Sequence, residues 1–165
     1  MAFQFYVTIE GAQQGTFKGD PAKVGTAGGP SSARITVRAF NYGVTTPHDA
    51  ATGQATGKRQ HSPVSFVKAW SAATPQLYAA LCTNEVLKSV LFEFVEADAH
   101  GVQQVSHAIK LTNATVSSMR FDIQSPAPID GGTPHDLEEI SMEFQKVDIV
   151  SGQTSASDTW GGSHA

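Results

Sequence analysis

Apolar and polar residues alternate along most of the chain, whereas the three-to-four-residue period of a helix is nearly absent. Alternation predicts half-buried β-strands, because successive side chains of a strand point to opposite faces. The first strand alternates from Phe3 to Ile9 and ends at Gly11. Further strands are predicted at residues 33–42, 64–70, 88–97, 102–111, 114–123 and 137–149. In the last of these the apolar parity changes, which predicts a bulge near Gln145 or Lys146.

One helix is predicted at residues 75–83. Thr74 offers a hydroxyl to the free amides of the first turn, and Pro75 stands where a missing amide proton costs least. Leu77 and Leu81 lie four residues apart, so they share one face of the helix and are expected to pack on a sheet.

The connections divide the chain further. Residues 98–101 form a polar turn that ends in glycine and joins two strands into a hairpin. Residues 43–62 contain almost no large apolar side chain and predict a true loop of about twenty residues. Residues 1–150 are expected to form the folded domain. Residues 151–165 are rich in Gly, Ser and Thr and are expected to be a flexible polar tail carrying Trp160.

Together these elements predict a mainly β protein, an antiparallel two-sheet β-barrel with one short α-helix on its side. Strands and helices do not alternate, so a parallel sheet is not indicated. Closure into a barrel is the expected arrangement because it removes exposed strand edges.

Composition narrows the function. The 165 residues are 40% hydrophobic but only 16% charged, and the formal net charge is −4. Nucleic acid is therefore not expected as a partner, since phosphate binding needs clustered cations. The weakly charged surface instead favours burial against further copies of the chain. Cys82 is expected to be a buried small apolar residue, and with one cysteine no intramolecular disulfide can form.

No reaction chemistry is apparent, so neither enzymatic activity nor a metal or cofactor is expected. The six histidines lack the spacing that would place two on one metal. Glu138 and Glu139 point to opposite faces of their strand and are interpreted as solvated residues. No nucleophile elbow or phosphate-binding loop occurs. The start of the chain lacks the features of a signal peptide and no segment is long and apolar enough to span a bilayer, so synthesis in the cytoplasm without membrane insertion is expected.

Four motifs nevertheless carry a resemblance to a known family. They are the run from Ile35 to Gly43 with aromatics on either side of Asn41, the passage from Pro63 through Lys68 to Thr74-Pro75 and Leu81, the stretch from Ala108 to Val116, and the strand from Leu137 to Val147. In this order they resemble the Hcp family, the haemolysin-coregulated tube proteins of type VI secretion systems.

The resemblance implies a mechanical role. Six copies would close into a ring, and the rings would stack into a hollow tube that carries effectors. A sheath, a spike protein and effector proteins would be its partners, and the chain would leave the bacterial cytoplasm without a cleaved signal peptide. In the family's pattern Asn41 would face the lumen. The loop 43–62 would contact the next ring, where Lys58, Arg59 and His61 are expected to pair with acidic groups.

Two other functions stay open at the level of sequence. The first is a monomeric, cupin-like barrel that binds a ligand or acts as a metal-dependent enzyme, although such proteins usually show inward-facing clusters of His and Glu. The second is an effector adaptor in which residues 151–165 recruit a partner.

Overall fold

The computed structural model describes residues 4–20, 33–124 and 135–159, except for the side chain of His135. The strands and the helix are, in chain order, β1 (Gln4–Gly11), β2 (Gly15–Thr16), β3 (Ile35–Val37), β4 (Ala39–Asn41), β5 (Val44–Thr45), β6 (Gln60–His61), β7 (Val64–Ala69), α1 (Thr74–Thr83), β8 (Leu87–Ala97), β9 (Gln103–Gln124), β10 (His135–Glu143), β11 (Lys146–Ser151) and β12 (Thr154–Thr159). The strands in these ranges pair antiparallel. The mainly β class is thus confirmed, with one helix among the described residues.

The long strand β9 belongs to two groups of strands. Its first half pairs with β8 and β11, and its second half pairs with β10. The strand order is β2-β1-β8-β9-β10-β7-β4, with β3 beside β1, β11 beside β9 and β12 beside β11. β5 and β6 form a separate two-stranded sheet.

The predicted closed two-sheet barrel is not found in the strand pairing of these residues. The path of paired strands ends at β2 and at β4. The predicted strand 33–42 is interrupted at Arg38, so β3 pairs with β1 and β4 pairs with β7. Residues 35–41 therefore contribute to both groups of strands. They bend at Arg38, at the position where a closed barrel requires a continuous strand.

The core lies between the two groups of strands. Its fully buried apolar side chains come from β1, β7, β8, β9, β10 and the helix, and include Ile9, Phe66, Leu77, Phe92, Leu111 and Ile140. Burying one such side chain stabilises the fold by about 1.5–3 kcal/mol. In β7 the predicted alternation is confirmed, since Val64, Phe66 and Lys68 are all buried.

Two strand boundaries differ from the prediction. The strands predicted at 102–111 and 114–123 are one strand, β9, because the chain bends at Asn113 (φ 52°) without breaking the ladder. The strand predicted at 137–149 is instead two, β10 and β11. The predicted bulge near Gln145 or Lys146 is the point where the chain crosses from one group of strands to the other, beside Asn113, whose amide donates to Gln145 Oε1 at 3.1 Å.

The helix occupies Thr74–Thr83, close to the prediction, but its ends differ. The residue before the first turn is Ala73, which provides no side-chain cap, and the hydroxyl of Thr74 is used elsewhere. Asn84 ends the helix in the left-handed region with φ 54°, and its N–H bonds to the carbonyls of Ala80 and Leu81. Cys82 is exposed, which corrects the expectation of burial. Two residues after the buried Ala80, it is turned by about 200° from the face that contacts the sheet.

The segment after Val150 is also more ordered than expected. Residues 154–159 form β12, which pairs with β11 over six residue pairs from Lys146↔Thr159 to Ser151↔Thr154. The prediction of a flexible tail is therefore corrected for residues 151–159. Backbone hydrogen bonds hold this strand although its side chains are polar and mostly exposed. Trp160 and the residues after it lie outside the described residues.

Candidate functional site

The loop predicted at residues 43–62 is an extended hairpin, and we use that name for these residues. β5 and β6 pair at its base through Val44↔His61 and Thr45↔Gln60. Further out, Thr56 N–H donates to the carbonyl of Pro47 at 2.9 Å. At the tip Asp49 N–H donates to the carbonyl of Gln54 at 2.8 Å, and Gly53 turns the chain with φ 72°. The hairpin is thus a defined projection built mainly from backbone hydrogen bonds.

A cluster of five side chains, the base cluster, connects this hairpin to the rest of the protein. It consists of Tyr42, Arg59, His61, Phe144 and Asp158. His61 Nε2 lies 2.8 Å from Asp158 Oδ2, and Arg59 Nε pairs with the same oxygen. Tyr42 Oη lies 2.7 Å from His61 Nδ1, and the rings of Tyr42 and His61 both contact Phe144 edge-on. Residues from the hairpin, β10–β11 and the final strand meet here.

The electrostatics of the base cluster favour a charged Asp158. The hydrogen bond from Arg59, together with that from His61, lowers the pKa of Asp158 below its ordinary value of 3.8, although partial burial opposes the shift. Burial, and to a lesser degree the charge of Asp158, raises the pKa of Tyr42 above 10.0. Tyr42 therefore keeps its proton, and Asp158 Oδ2 is placed to accept from His61 Nε2.

Three residues of the hairpin are expected to pair with acidic groups of the next ring of the tube, namely Lys58, Arg59 and His61. The structure places them in different surroundings. Arg59 and His61 contact Asp158 of the same chain. Lys58 is exposed to solvent. The sequence pattern does not identify Asp158, because this residue lies in a polar segment with no apolar alternation, although it is the first acidic residue after Asp148.

Asn41 lies on the outward face of the sheet formed by β4, β7, β10 and the second half of β9. Its register partners there are Ser65, then Ser141, then Ser118. We call these four residues the polar row. The hydroxyls of Ser65 and Ser141 lie 3.0 Å apart. The adjacent row across the same face contains Ala39, Val67, Glu139 and Arg120. The sequence motif identified only Asn41, since the three serines become its neighbours through strand pairing.

A buried ion pair lies on the opposite face of this sheet, at the start of the helix. Lys68 and Glu138 are 0% and 1% exposed, and the ammonium of Lys68 pairs with Glu138 Oε1. Thr74 Oγ1 accepts from Lys68 Nζ at 3.1 Å and donates to Glu138 Oε1 at 2.9 Å, which explains why it does not cap the helix. The interpretation of Glu138 as solvated is therefore wrong, whereas Glu139 is exposed.

An aromatic patch lies beyond the end of the core, near the same ion pair. Trp70, Phe121 and Ile123 are 51%, 40% and 64% exposed. The Trp70 and Phe121 rings are 5.5 Å apart. Phe121 pairs in register with Glu138, so it lies on the core side of the sheet although 40% of its surface is exposed.

In the described residues, apolar side chains of the core pack between the two groups of strands, where a cupin-like protein would hold its ligand. A groove of about 390 Å³ lies on the outer surface of β8, β9, β11 and β12 instead, lined by residues such as Leu91, Lys110 and Asp148. In the same parts of the chain, no group of three His, Cys, Asp or Glu residues is placed to hold a metal. Nor does the described helix have the length and hydrophobicity needed to cross a membrane.

Comparisons with known proteins place this architecture. Residues 6–150 match the family described as "Type VI secretion system effector, Hcp". The "Major exported protein" of Pseudomonas aeruginosa is 30% identical over 169 residues, which cover 97% of this chain and 96% of that protein. A solved structure described as "Crystal structure of Hcp protein" has a TM-score of 0.84 and 25% identity, covering 98% of this chain and all of that one. The "Secreted protein Hcp3 from Pseudomonas aeruginosa" shares the fold, with a TM-score of 0.76, 23% identity and coverage of 98% and 100%.

The chain belongs to the Hcp family of type VI secretion proteins. It is a tube protein of a type VI secretion system and an exported protein.

Proposed function

We propose that six copies of this chain close into a ring, that rings stack into a hollow tube, and that the lumen carries effectors. The observation that carries this proposal is the extended hairpin. Every residue from Gly43 to Lys58 is exposed, so these residues contribute little to the core of their own chain. An ordered projection of this kind suits contact with a further molecule, here the next ring of the tube.

The proposed assembly includes a barrel-shaped protomer. β3 and β4 follow one another across the bend at Arg38, whose N–H donates to the carbonyl of Val67 at 2.8 Å. Through this bend the chain joins β1 to β7 at the two outer sides of the strand order. We propose that the bend completes the barrel that continuous strand pairing leaves open.

The aromatic patch is the proposed contact between neighbours within a ring. Exposed apolar surface that includes two aromatic rings is typical of protein–protein contacts. A ring requires a heterologous contact, in which the patch meets a different surface of the next copy and the rotation between copies divides the circle.

This contact is tested by native mass spectrometry of the full chain and of Phe121→Arg. We expect the wild type at about six times 17.4 kDa. The variant is expected to shift to single chains, because a buried unpaired charge opposes association. Tyr78→Arg is the control, since Tyr78 is 55% exposed on the helix, outside the patch. A wild-type mass of one chain would overturn the ring, and a hexameric Phe121→Arg would overturn the assignment of the patch.

The polar row is the proposed lumen surface. Its amide and hydroxyl groups hydrogen-bond to cargo without a large apolar area, which suits a channel that must release what it carries. The pair Glu139 and Arg120 on the same face contributes opposite charges. Nothing in this surface requires bond-breaking chemistry, so we propose a non-enzymatic role.

We propose further that the chain is made in the cytoplasm and exported without a cleaved signal peptide, in contact with the sheath, the spike protein and effectors. This extends the export that the family membership establishes.

Stacking of rings is expected to depend on Lys58 and on salt. Among the hairpin residues expected to contact the next ring, Lys58 is the exposed cation. An exposed ion pair contributes about 0.2–1 kcal/mol and is screened by salt, so Lys58→Gln should weaken each ring-to-ring contact up to about fivefold at low salt. Sedimentation of stacks against salt concentration measures this, with Lys18→Gln as control. Stacking that is equal in the two variants and insensitive to salt would contradict the role of Lys58.

A further inference from the structure

The extended hairpin has no hydrophobic core, so its direction must be set where it joins the protein. Along its length it is held by its own backbone bonds, such as Thr56 N–H to the Pro47 carbonyl at 2.9 Å. At the junction, Ser62 N–H donates to the carbonyl of Gly43 at 2.9 Å, and Gly43 N–H donates to Ser62 Oγ at 2.8 Å. These bonds close the hairpin on itself, but they do not fix its angle to the sheets.

The angle is constrained by Asp158, through contacts that reach outside the hairpin. One carboxylate oxygen of Asp158 accepts from Arg59 Nε and from His61 Nε2. The guanidinium of Arg59 also donates to the backbone carbonyl of Thr159 at 3.2 Å. Charge-assisted bonds to one acceptor restrict both side chains more than a single neutral bond would.

Asp158 is itself held firmly enough to act as an anchor. It belongs to β12 and pairs in register with Val147, which is 3% exposed. Its second carboxylate oxygen accepts from Thr159 N–H at 3.0 Å. The side chains of Arg59 and Asp158 are 29% and 23% exposed, so solvent competes only partly for their charges.

We propose that Asp158 is a positioning residue that fixes the extended hairpin to the final strand and so preorganises it for contact with the next ring. The inference rests on the proposed stacking role of the hairpin. It adds a function for the final strand, which lies beyond residues 6–150 that match the family. A hairpin already held at its binding angle loses less conformational freedom on stacking.

Positioning of the hairpin by Asp158 can be distinguished experimentally from a contribution of Asp158 to the stability of β12. β12 pairs with β11 over six residue pairs through the backbone, independently of the Asp158 carboxylate. Asp158→Asn should therefore preserve the strand, the thermal midpoint and the mass of the ring. It should release the hairpin alone.

The test is hydrogen exchange by mass spectrometry on the full-length wild type, Asp158→Asn, Asp158→Glu and Asp148→Asn. Asp148 is the matched control, because it lies on β11 in its own ion pair with Lys146 at 3.6 Å. Asp158→Asn should speed exchange of the β5–β6 amides by about fivefold, with β11–β12 unchanged. Asp158→Glu should restore most of the protection, and Asp148→Asn should match the wild type.

Sedimentation of stacks on the same four proteins completes the test. We expect Asp158→Asn to form rings but fewer stacks, and Asp158→Glu to recover them. Unchanged exchange in the hairpin, or equal loosening of β11 and β12, would overturn the positioning role. If the wild type forms rings that never stack, the stacking function fails, and the exchange comparison alone then decides whether Asp158 holds the hairpin.

Discussion

Replacing Lys68 by methionine is expected to lower the free energy of unfolding by about 3–5 kcal/mol, because it leaves the Glu138 carboxylate buried without its cation. Lys68 is fully buried, and its ammonium also donates to the carbonyl of Ala69 at 3.1 Å and to Ser71 Oγ at 3.0 Å. Losing it removes the link between β7, the start of the helix and β10. Chemical denaturation monitored by circular dichroism measures the change.

The double variant Lys68→Met with Glu138→Met shows how much of this loss in stability comes from the unpaired charge and how much from altered packing. Removing both charges takes away the desolvation cost as well as the attraction, so most of the lost stability should return. Glu138 Oε2 already lacks a hydrogen-bond partner among the described residues, which makes the native pair incompletely compensated. Lys88→Met, at an exposed position of β8, is the control and should change stability by less than about 0.5 kcal/mol. Additive losses in the double variant would contradict the coupling.

Leu77→Ala is expected to destabilise the protein by about 2–5 kcal/mol, since Leu77 is fully buried and its loss leaves a cavity between the helix and the sheets. Leu81 is half-buried at the edge of the same core, so Leu81→Ala should cost roughly half as much. The two substitutions delete the same atoms from one helix and differ only in burial. Denaturation curves that showed equal losses would mean that the helix does not pack as the structure places it.

Alternation predicts most of the strands, because a strand with one buried face has an apolar residue at every second position. The structure of β7 shows both the reach and the limit of this rule. Lys68 shares parity with Val64 and Phe66, and all three are buried. Its partner Glu138 likewise shares parity with the buried Ile140. The alternation thus places Lys68 and Glu138 on the buried faces of their strands. Only the pairing of β7 with β10 shows that the two residues lie side by side.

The final strand had no such signal. The side chains of β12 are small, polar and mostly exposed, so its order comes from the backbone ladder to β11 and leaves no hydrophobic period. For the same reason Asp158 was not expected beside the hairpin. The family resemblance places residues 43–62 against the next ring, whereas in the structure of one chain Arg59 and His61 contact Asp158.

The sequence predicts only part of the polar row, because its serines come beside Asn41 through strand pairing. A short motif placed Asn41 among aromatics, but Ser118 and Ser141 join it through pairing across β9 and β10, whose residues are far apart in sequence. The aromatic patch is a similar case, since Trp70 and Phe121 come together only in the folded chain.

Electron microscopy of the purified full-length chain shows whether this protein assembles into rings. We expect ring-shaped particles with an open centre, each built from several copies whose polar rows line the opening. Compact particles the size of a single 17.4 kDa chain, without a central opening at any protein concentration examined, would contradict it.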